Sequence, residues 1–448
     1  MKFKKTRRER NGIVLALSFL SLMSPAVRAQ EPAGTLTLRE ALRRALEANP
    51  NTATARSQVT ASQAQVRQIR SAILPKITFD GSAIRNNQEV AFDVNGFRAT
   101  ILPKNDWSAQ ITVSQPLYAG NRELKALRQG RLAVNSAEVG VRSSEDMVLL
   151  ATASDYLGVV QGEALKTVEQ RNLELAERRR KQAQAFYEAG EVTRVDVLRA
   201  DTDRKAAERA LVAAIQGRDL AASRLRLDLA LDQLSGAPLE VVSPELKFPT
   251  RPAPEELVSL AQANRPSVQQ ADLALQIARL ETAKQRGAYL PTVRAEGNFL
   301  SQKTSFPADQ SASLAIRLSV PIFDSGEIKS KVAIARENER QAEIALADVK
   351  RQVREDVLQA LLDLKTAETD LGLAREQLAA AEAEYNQSFE LYRAQEATSL
   401  DLQTSETSLA SARRAVVNGT LNRDLAELNV WSAVGTLKNT ILAEEGKP

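Results

Sequence analysis

The chain is written twice, and no other feature constrains its fold as much. Ser114-Gln115-Pro116-Leu117-Tyr118 is matched by Ser319-Val320-Pro321-Ile322-Phe323 at an offset of 205 residues. The register is still kept at Tyr187 and Tyr392, which lie equally far beyond Pro116 and Pro321, and then at Thr193 and Thr398 and at Asp196 and Asp401. Upstream, Asn49-Pro50 lies 25 residues before Leu74-Pro75, and Arg265-Pro266 lies 25 before Leu290-Pro291. A spacing kept over so long a stretch without insertion predicts one continuous helix, about 107 Å long at ~1.5 Å per residue. Only the interval between the strand markers differs: 41 residues from Pro75 to Pro116 against 30 from Pro291 to Pro321. The first copy is therefore predicted to carry the longer hairpin loop. Two copies of about 200 residues are too long and too few for a solenoid and predict a pseudo-symmetric body instead.

The prolines say where the helices lie. None occurs between Pro116 and Pro238, and none between Pro321 and Pro448. Because a proline inside a helix costs about 3 kcal/mol, each gap is free to hold a pair of long helices. Residues 124–189 and 328–393 place apolar side chains at mixed steps of three and four, as in Leu149, Leu150, Ala153, Leu157 and Val160, and in Ile344, Val349, Val353, Val357, Leu361 and Leu364. That is the amphipathic pattern of closely packed helices. The clusters Arg178-Arg179-Arg180-Lys181 and Glu337-Asn338-Glu339-Arg340 read as solvated faces of such a coil. Between the gaps, Pro238, Pro244, Pro249, Pro252 and Pro254 rule out regular helix and mark a linker. The predicted division is residues 30–235 for the first repeat, 236–254 for the linker and 255–448 for the second repeat.

Each repeat also holds two short segments of period two. Trp107, Ala109, Ile111 and Val113 alternate with Ser108, Gln110, Thr112 and Ser114, and Leu314, Ile316, Leu318 and Val320 alternate with Ala315, Arg317 and Ser319. Their predicted partners are residues 77–80 and 293–299. Strict alternation marks a strand between two unlike environments. A sheet over a soluble core would serve as well, but aromatics are only 4% and no other sizeable apolar body is evident for these strands to cover. Arg294, Glu296 and Arg317 on the polar faces suit a water-filled lumen. Four strands cannot close a membrane barrel, whose smallest form has about eight, so the chain must associate; three copies would supply twelve.

The segment from Met1 to Ala29 reads as a secretory signal: a basic start, an apolar run from Gly12 to Met23, then Val27-Arg28-Ala29 before the expected cut. A retained anchor is the alternative, although the run is short for a bilayer of about 30 Å. This segment holds seven of the 60 basic and one of the 56 acidic residues, so the remainder carries two more acids than bases. No basic footprint for nucleic acid is left. Beyond Ala29 no stretch is apolar for the ~20 residues that a membrane helix needs, so a closed barrel is the one spanning form open to it. The chain has no Cys and no His, which removes disulfides, a lipidated first Cys, Ser-His and Cys-His nucleophiles and the commonest zinc sites. No glycine-rich phosphate loop occurs, so any ATP is used by a partner. Neither an enzyme nor a cofactor or metal is expected.

Taken in order, these segments resemble the TolC family of outer-membrane efflux proteins. Leu36-Thr37-Leu38-Arg39-Glu40-Ala41-Leu42, Ala45-Leu46 and Asn49-Pro50 are similar to that family's first helix. Leu74-Pro75 and Leu290-Pro291 are similar to its strand starts, and Gln115-Pro116-Leu117-Tyr118-Ala119-Gly120 to its turn from strand to long helix. The resemblance covers essentially the whole chain after the signal. It implies a mainly α fold with a membrane β-barrel: a homotrimer whose duplicated helical hairpins form an α-barrel, with four strands per chain in a twelve-stranded barrel in outer-membrane lipid. It implies a passive exit duct of a tripartite efflux or type I secretion system, set in the outer membrane and reaching into the periplasm. A periplasmic adaptor and an inner-membrane pump would open its tip. The turns containing Gly190, Glu191 and Thr193, and Gln395, Glu396 and Thr398, would meet the adaptor; Gln395 stands where the first copy has Gly190. Asp196 would bond Tyr392 across hairpins, and Asp401 would form a ring of three carboxylates. Asp196 and Asp401 read without the family are equally ordinary helix caps after a turn. The rival to the channel is a periplasmic coiled-coil adaptor, although such proteins usually hold one hairpin in single copy.

Overall fold

The computed structural model describes residues 35–94, 96–231, 239–303, 309–394 and 396–442. The signal segment, the boundary expected at 235/236 and Gln395 lie outside the described residues. Each repeat opens with two helices broken by a proline. α1 (Leu38–Ala48) starts on a capping box between Thr37 and Glu40 and ends where Pro50 holds Asn49 in extended backbone, φ −68° and ψ 129°. Pro50 then occupies the first turn of α2 (Pro50–Ser71), and the Asn49 side chain accepts from the Asn51 N–H at 2.9 Å. The second repeat does the same at Arg265-Pro266, between α5 (Pro254–Asn264) and α6 (Pro266–Arg286).

The long helices bear out the proline-free gaps. α3 (Arg122–Glu188) and α7 (Glu327–Arg393) have 67 residues each, about 100 Å at ~1.5 Å per residue. They begin later than the conserved spacing predicts. In the first repeat the preceding strand runs on to Ala119, and the chain then turns through Gly120 and Asn121 at positive φ. α4 (Arg194–Asp228) and α8 (Ser399–Val434) return along them for about half their length. A short α9 (Leu437–Leu442) closes the described chain.

Six strands occur among the described residues. β1 (Lys76–Arg85), β4 (Asn105–Ala119), β5 (Thr292–Gln302) and β6 (Gln310–Ser319) form one antiparallel sheet in the order β1-β4-β5-β6. The longer loop of the first copy folds into a separate hairpin, β2 (Val90–Val94) with β3 (Phe97–Leu102). In the main sheet Ile77 lies opposite Val113, Phe79 opposite Ile111, Ile111 opposite Phe299 and Val293 opposite Leu318. Thr78 lies opposite Thr112, Thr112 opposite Asn298 and Arg294 opposite Arg317. Since side chains alternate along a strand, the sheet is apolar on one face and polar on the other.

Burial is narrow, as the composition implies. One core cluster forms where α4 ends beside the middle of α3, joining Leu36, Leu42, Leu149, Tyr156, Leu225, Leu229, Leu428 and Leu437. Tyr156 explains the position of the linker. Its hydroxyl is 2.8 Å from the Leu36 carbonyl and 2.6 Å from the Val242 carbonyl, beside an isolated bridge between Leu36 and Val241. A second cluster packs Leu257, Ala261 and Val268 on Val353, Val357 and Leu364 of α7 and Val430 and Val434 of α8. Arg251 fastens the linker to that side, with Glu368 at 2.8 Å and the buried Glu427 at 3.8 Å.

Candidate functional site

The residues singled out from the sequence fall in two places: the sheet and the far tips of the helical hairpins. On the polar face of the sheet, Glu296 holds Arg317 at 2.5 Å and Arg294 at 3.7 Å, the three charged residues singled out from the strands. Ser82 and Ser108 meet at 2.8 Å, and Thr112 donates to Asn298 at 2.9 Å. The apolar face exposes Ile77, Phe79, Trp107, Ile111, Phe299, Leu314, Ile316 and Leu318. Exposed apolar groups of this number require a cover of lipid or protein. Both edges, β1 and β6, lack a neighbouring strand within the described chain.

At the tips the two turns are built alike. Gly190 takes φ +78°, and the Glu191 N–H closes the first turn on the Phe186 carbonyl at 2.8 Å. The Glu396 N–H closes the second on the Leu391 carbonyl at 2.9 Å, the equivalent bond of the second repeat. Thr193 and Thr398 then cap α4 and α8. Asp196 accepts from the Thr193 hydroxyl at 2.7 Å and its N–H at 3.0 Å, and Asp401 accepts from the Thr398 hydroxyl at 2.6 Å and its N–H at 2.9 Å. Bonding to the Thr193 and Thr398 hydroxyls holds both carboxyls below the ordinary aspartate range. With a lowered folded value, each cap is stabilising above the unfolded pKa of about 3.9 and is lost as pH falls through the lowered value.

The structure brings the two turns together. Phe186, Glu191, Thr193, Asp196, Tyr392 and Thr398 line one cleft of about 440 Å³, with the Phe186 and Tyr392 rings 5.9 Å apart. The bond expected between Asp196 and Tyr392 is not made within this chain. Asp196 spends its Oδ2 on the cap, and the Tyr392 hydroxyl is buried with no hydrogen-bond partner. Burial, and then the Asp196 charge, push the Tyr392 phenol above its ordinary value.

One reading needs correction. Arg179 is not on a solvated face: it is 4% exposed and bridges Asp203 of α4 and, at 2.9 Å, Glu406 of α8. Arg178, Arg180 and Lys181 are exposed as expected. Gln403 donates to Asp203 at 3.0 Å, Arg414 pairs with the buried Glu169, and Gln161 donates to Asn418 at 2.8 Å. Positions 161, 169 and 179 on α3 thus meet 418, 414 and 406 on α8, a polar ladder between the two hairpins. No local signal in the sequence could have found this ladder, since every partner lies in the other repeat.

Residues 41–233 and 257–436 match the family described as outer membrane efflux protein, one stretch in each repeat. The chain belongs to the outer membrane efflux protein family. It is similar to the outer membrane efflux protein BepC of Brucella suis, 23% identical over 421 residues that cover 93% of this chain and 89% of that one. It is also similar to the outer membrane protein TolC of Escherichia coli, 22% identical over 422 residues covering 89% and 82%. Among solved structures it shares its fold with the outer membrane protein VceC of Vibrio cholerae, with a TM-score of 0.75 at 15% identity over 89% and 96% of the chains. As a member of the outer membrane efflux protein family it is an outer-membrane channel, the exit duct of a tripartite efflux or secretion system. Efflux proteins of this family are transport channels, which sets the periplasmic adaptor aside as the alternative.

Proposed function

We propose that three copies of this chain form a passive conduit, with twelve strands in outer-membrane lipid and six helical hairpins reaching toward a periplasmic adaptor and an inner-membrane pump. The observation that carries this reading is a four-stranded sheet with one apolar face, one polar face and two free edges. Lipid tolerates no unpaired backbone, so such a sheet must find further strands before it can span. We assign residues 1–29 as a removed signal, 30–235 and 255–448 as the repeats and 236–254 as the belt linker. The duct performs no catalysis; work comes from the pump.

At the tips, Gly190, Glu191, Thr193, Gln395, Glu396 and Thr398 are assigned to adaptor contact, and Asp196, Tyr392 and Asp401 to the gate. Asp196 keeps Oδ1 free of the cap and lines the cleft that also holds Tyr392, which supports assigning the two to one gate. Three Asp401 carboxylates around a narrow axis would attract cations and repel one another. Planar-bilayer recording separates this role from capping. Asp401→Asn keeps an acceptor for the Thr398 N–H but removes the charge, whereas Asp401→Ala removes both. Lower cation selectivity in both variants, with wider cation passage in Asp401→Ala, is expected. Unchanged conductance and selectivity in Asp401→Asn would mean that Asp401 only caps α8.

A further inference from the structure

We infer that the polar face of the sheet binds polyvalent oxyanions, the chemistry of phosphate-bearing solutes, at Arg294 and Arg317, within a basic belt at the end nearest the long helices. The belt's place inside a lumen rests on the trimer reading. The arginine pair itself lies within one chain.

Charges on the polar face are sorted along the strands. Lys76, Ser114 and Glu296 share one rung, and Arg294 and Arg317 share the next, at the end where β4 and β6 lead into α3 and α7. Nearer the other end, alternation puts two charged residues of the paired strands on this face, Asp80 opposite Gln110 and Asp106 opposite Ile84. The foot of the sheet therefore has three bases and one acid, and the outer rungs have two acids and no base. Three copies would set nine bases against three acids. Because barrel strands tilt by about 35–45°, those charges form a belt of some height rather than a flat ring.

The arginine pair is the part built for a ligand. Arg294 and Arg317 lie directly opposite each other across β5 and β6, where like charges oppose pairing. Glu296 is the one carboxylate within ion-pair reach of either among the described residues, at 3.7 Å from Arg294 and 2.5 Å from Arg317. One carboxylate neutralises one base, so the second positive charge is left over. Exposure agrees: the Glu296 side chain is 19% exposed, while those of Arg294 and Arg317 remain 57% and 67% exposed. A salt bridge serving the sheet alone accounts for the covered glutamate but not for two open guanidiniums. Each guanidinium presents five N–H donors in a rigid fork that matches the oxygens of a phosphate or carboxylate, and Glu296 occupies only part of that set. A concave wall lined by one sign of charge would strengthen the attraction further, with Lys76 adding a point charge on the same face.

Calorimetric titration of sodium tripolyphosphate into the detergent-solubilised full chain at low ionic strength tests the site, with heat-sensitive trimers scored on gels of the same samples. Wild-type protein should bind, and R294Q/R317Q should weaken binding by about tenfold. R85Q removes a base at the far end of β1, on the apolar-face parity, and should bind as wild type does. E296Q frees both guanidiniums and should tighten binding about threefold. Binding that R294Q/R317Q leaves intact, or that R85Q weakens equally, overturns the site. Should R294Q/R317Q fail to fold, binding unmoved or weakened in E296Q overturns it instead. Trimers that bind no tripolyphosphate overturn the site and leave the trimer standing. Monomers whose binding still depends on Arg294 and Arg317 leave the site standing and overturn the trimer, and monomers that bind nothing overturn both.

Discussion

At the scale of single residues, two glycines fix how the sheet sits on the helices. A Cβ on Gly120 would lie 2.0 Å from the Gly287 carbonyl oxygen, and one on Gly287 would lie 2.5 Å from that of Gly120. The turn from β4 into α3 and the end of α6 therefore approach backbone to backbone. Gly120 also takes φ +65°, where an L side chain costs about 1–3 kcal/mol before any clash is counted. Gly120→Ala is expected to lower the temperature at which the native oligomer is lost in detergent gels. Gly217→Ala, in open space on α4, should leave it unchanged or raise it, because a helical glycine is about 0.5–1 kcal/mol worse than alanine. Asp196 and Asp401 are legible at this scale as well: a Thr with an acid three residues on is a capping box wherever it begins a helix. What their neighbours in other subunits do with them is not written in that motif.

At the scale of elements, the hairpins were legible because proline is absent and spacing is kept. Their mutual attachment was not. Arg179 looked like one of four adjacent bases, and a basic run on a helix is usually solvated. Its burial follows from α8 lying against α3, which brings Glu406 of the other repeat to it. Arg179→Met should be costly, by about 3–5 kcal/mol, because it strands Asp203 and Glu406 without their cation. Replacing all three with apolar groups, as in R179M/D203L/E406L, should restore most of the loss. Protease cleavage at the turns 189–193 and 394–398 measures it: faster in the single variant, near wild type in the triple. The half-buried carboxyl of Glu406 is pushed above the ordinary glutamate value, first by desolvation and then by the Asp203 charge, while the Arg179 and Arg178 charges pull it back down.

At the scale of the whole molecule, the extra loop of the first copy is a clear break in pseudo-symmetry among the described residues. β2 and β3 pair only with each other, beyond Arg85 and Asn105 where the main sheet ends. A hairpin outside the ladder is not needed to close it. Replacing residues 88–102 by a short glycine-serine turn should leave heat-modifiable oligomers and single-channel conductance unchanged, measured in gels and planar bilayers. Loss of the oligomer would place the hairpin in the assembly instead.

The duplication, the presence of two long unbroken helices, the proline breaks and the alternating strands were all determined by the sequence alone, because each depends on neighbours a few residues away or on a spacing that continuous helix preserves. Tertiary structure alone decided that β4 joins β5 across the repeats, that Tyr156 anchors the linker and that Arg179 is buried in a ladder to α8. Those contacts join residues far apart in the chain, where no local periodicity constrains the partner and only the packing of complete elements selects it.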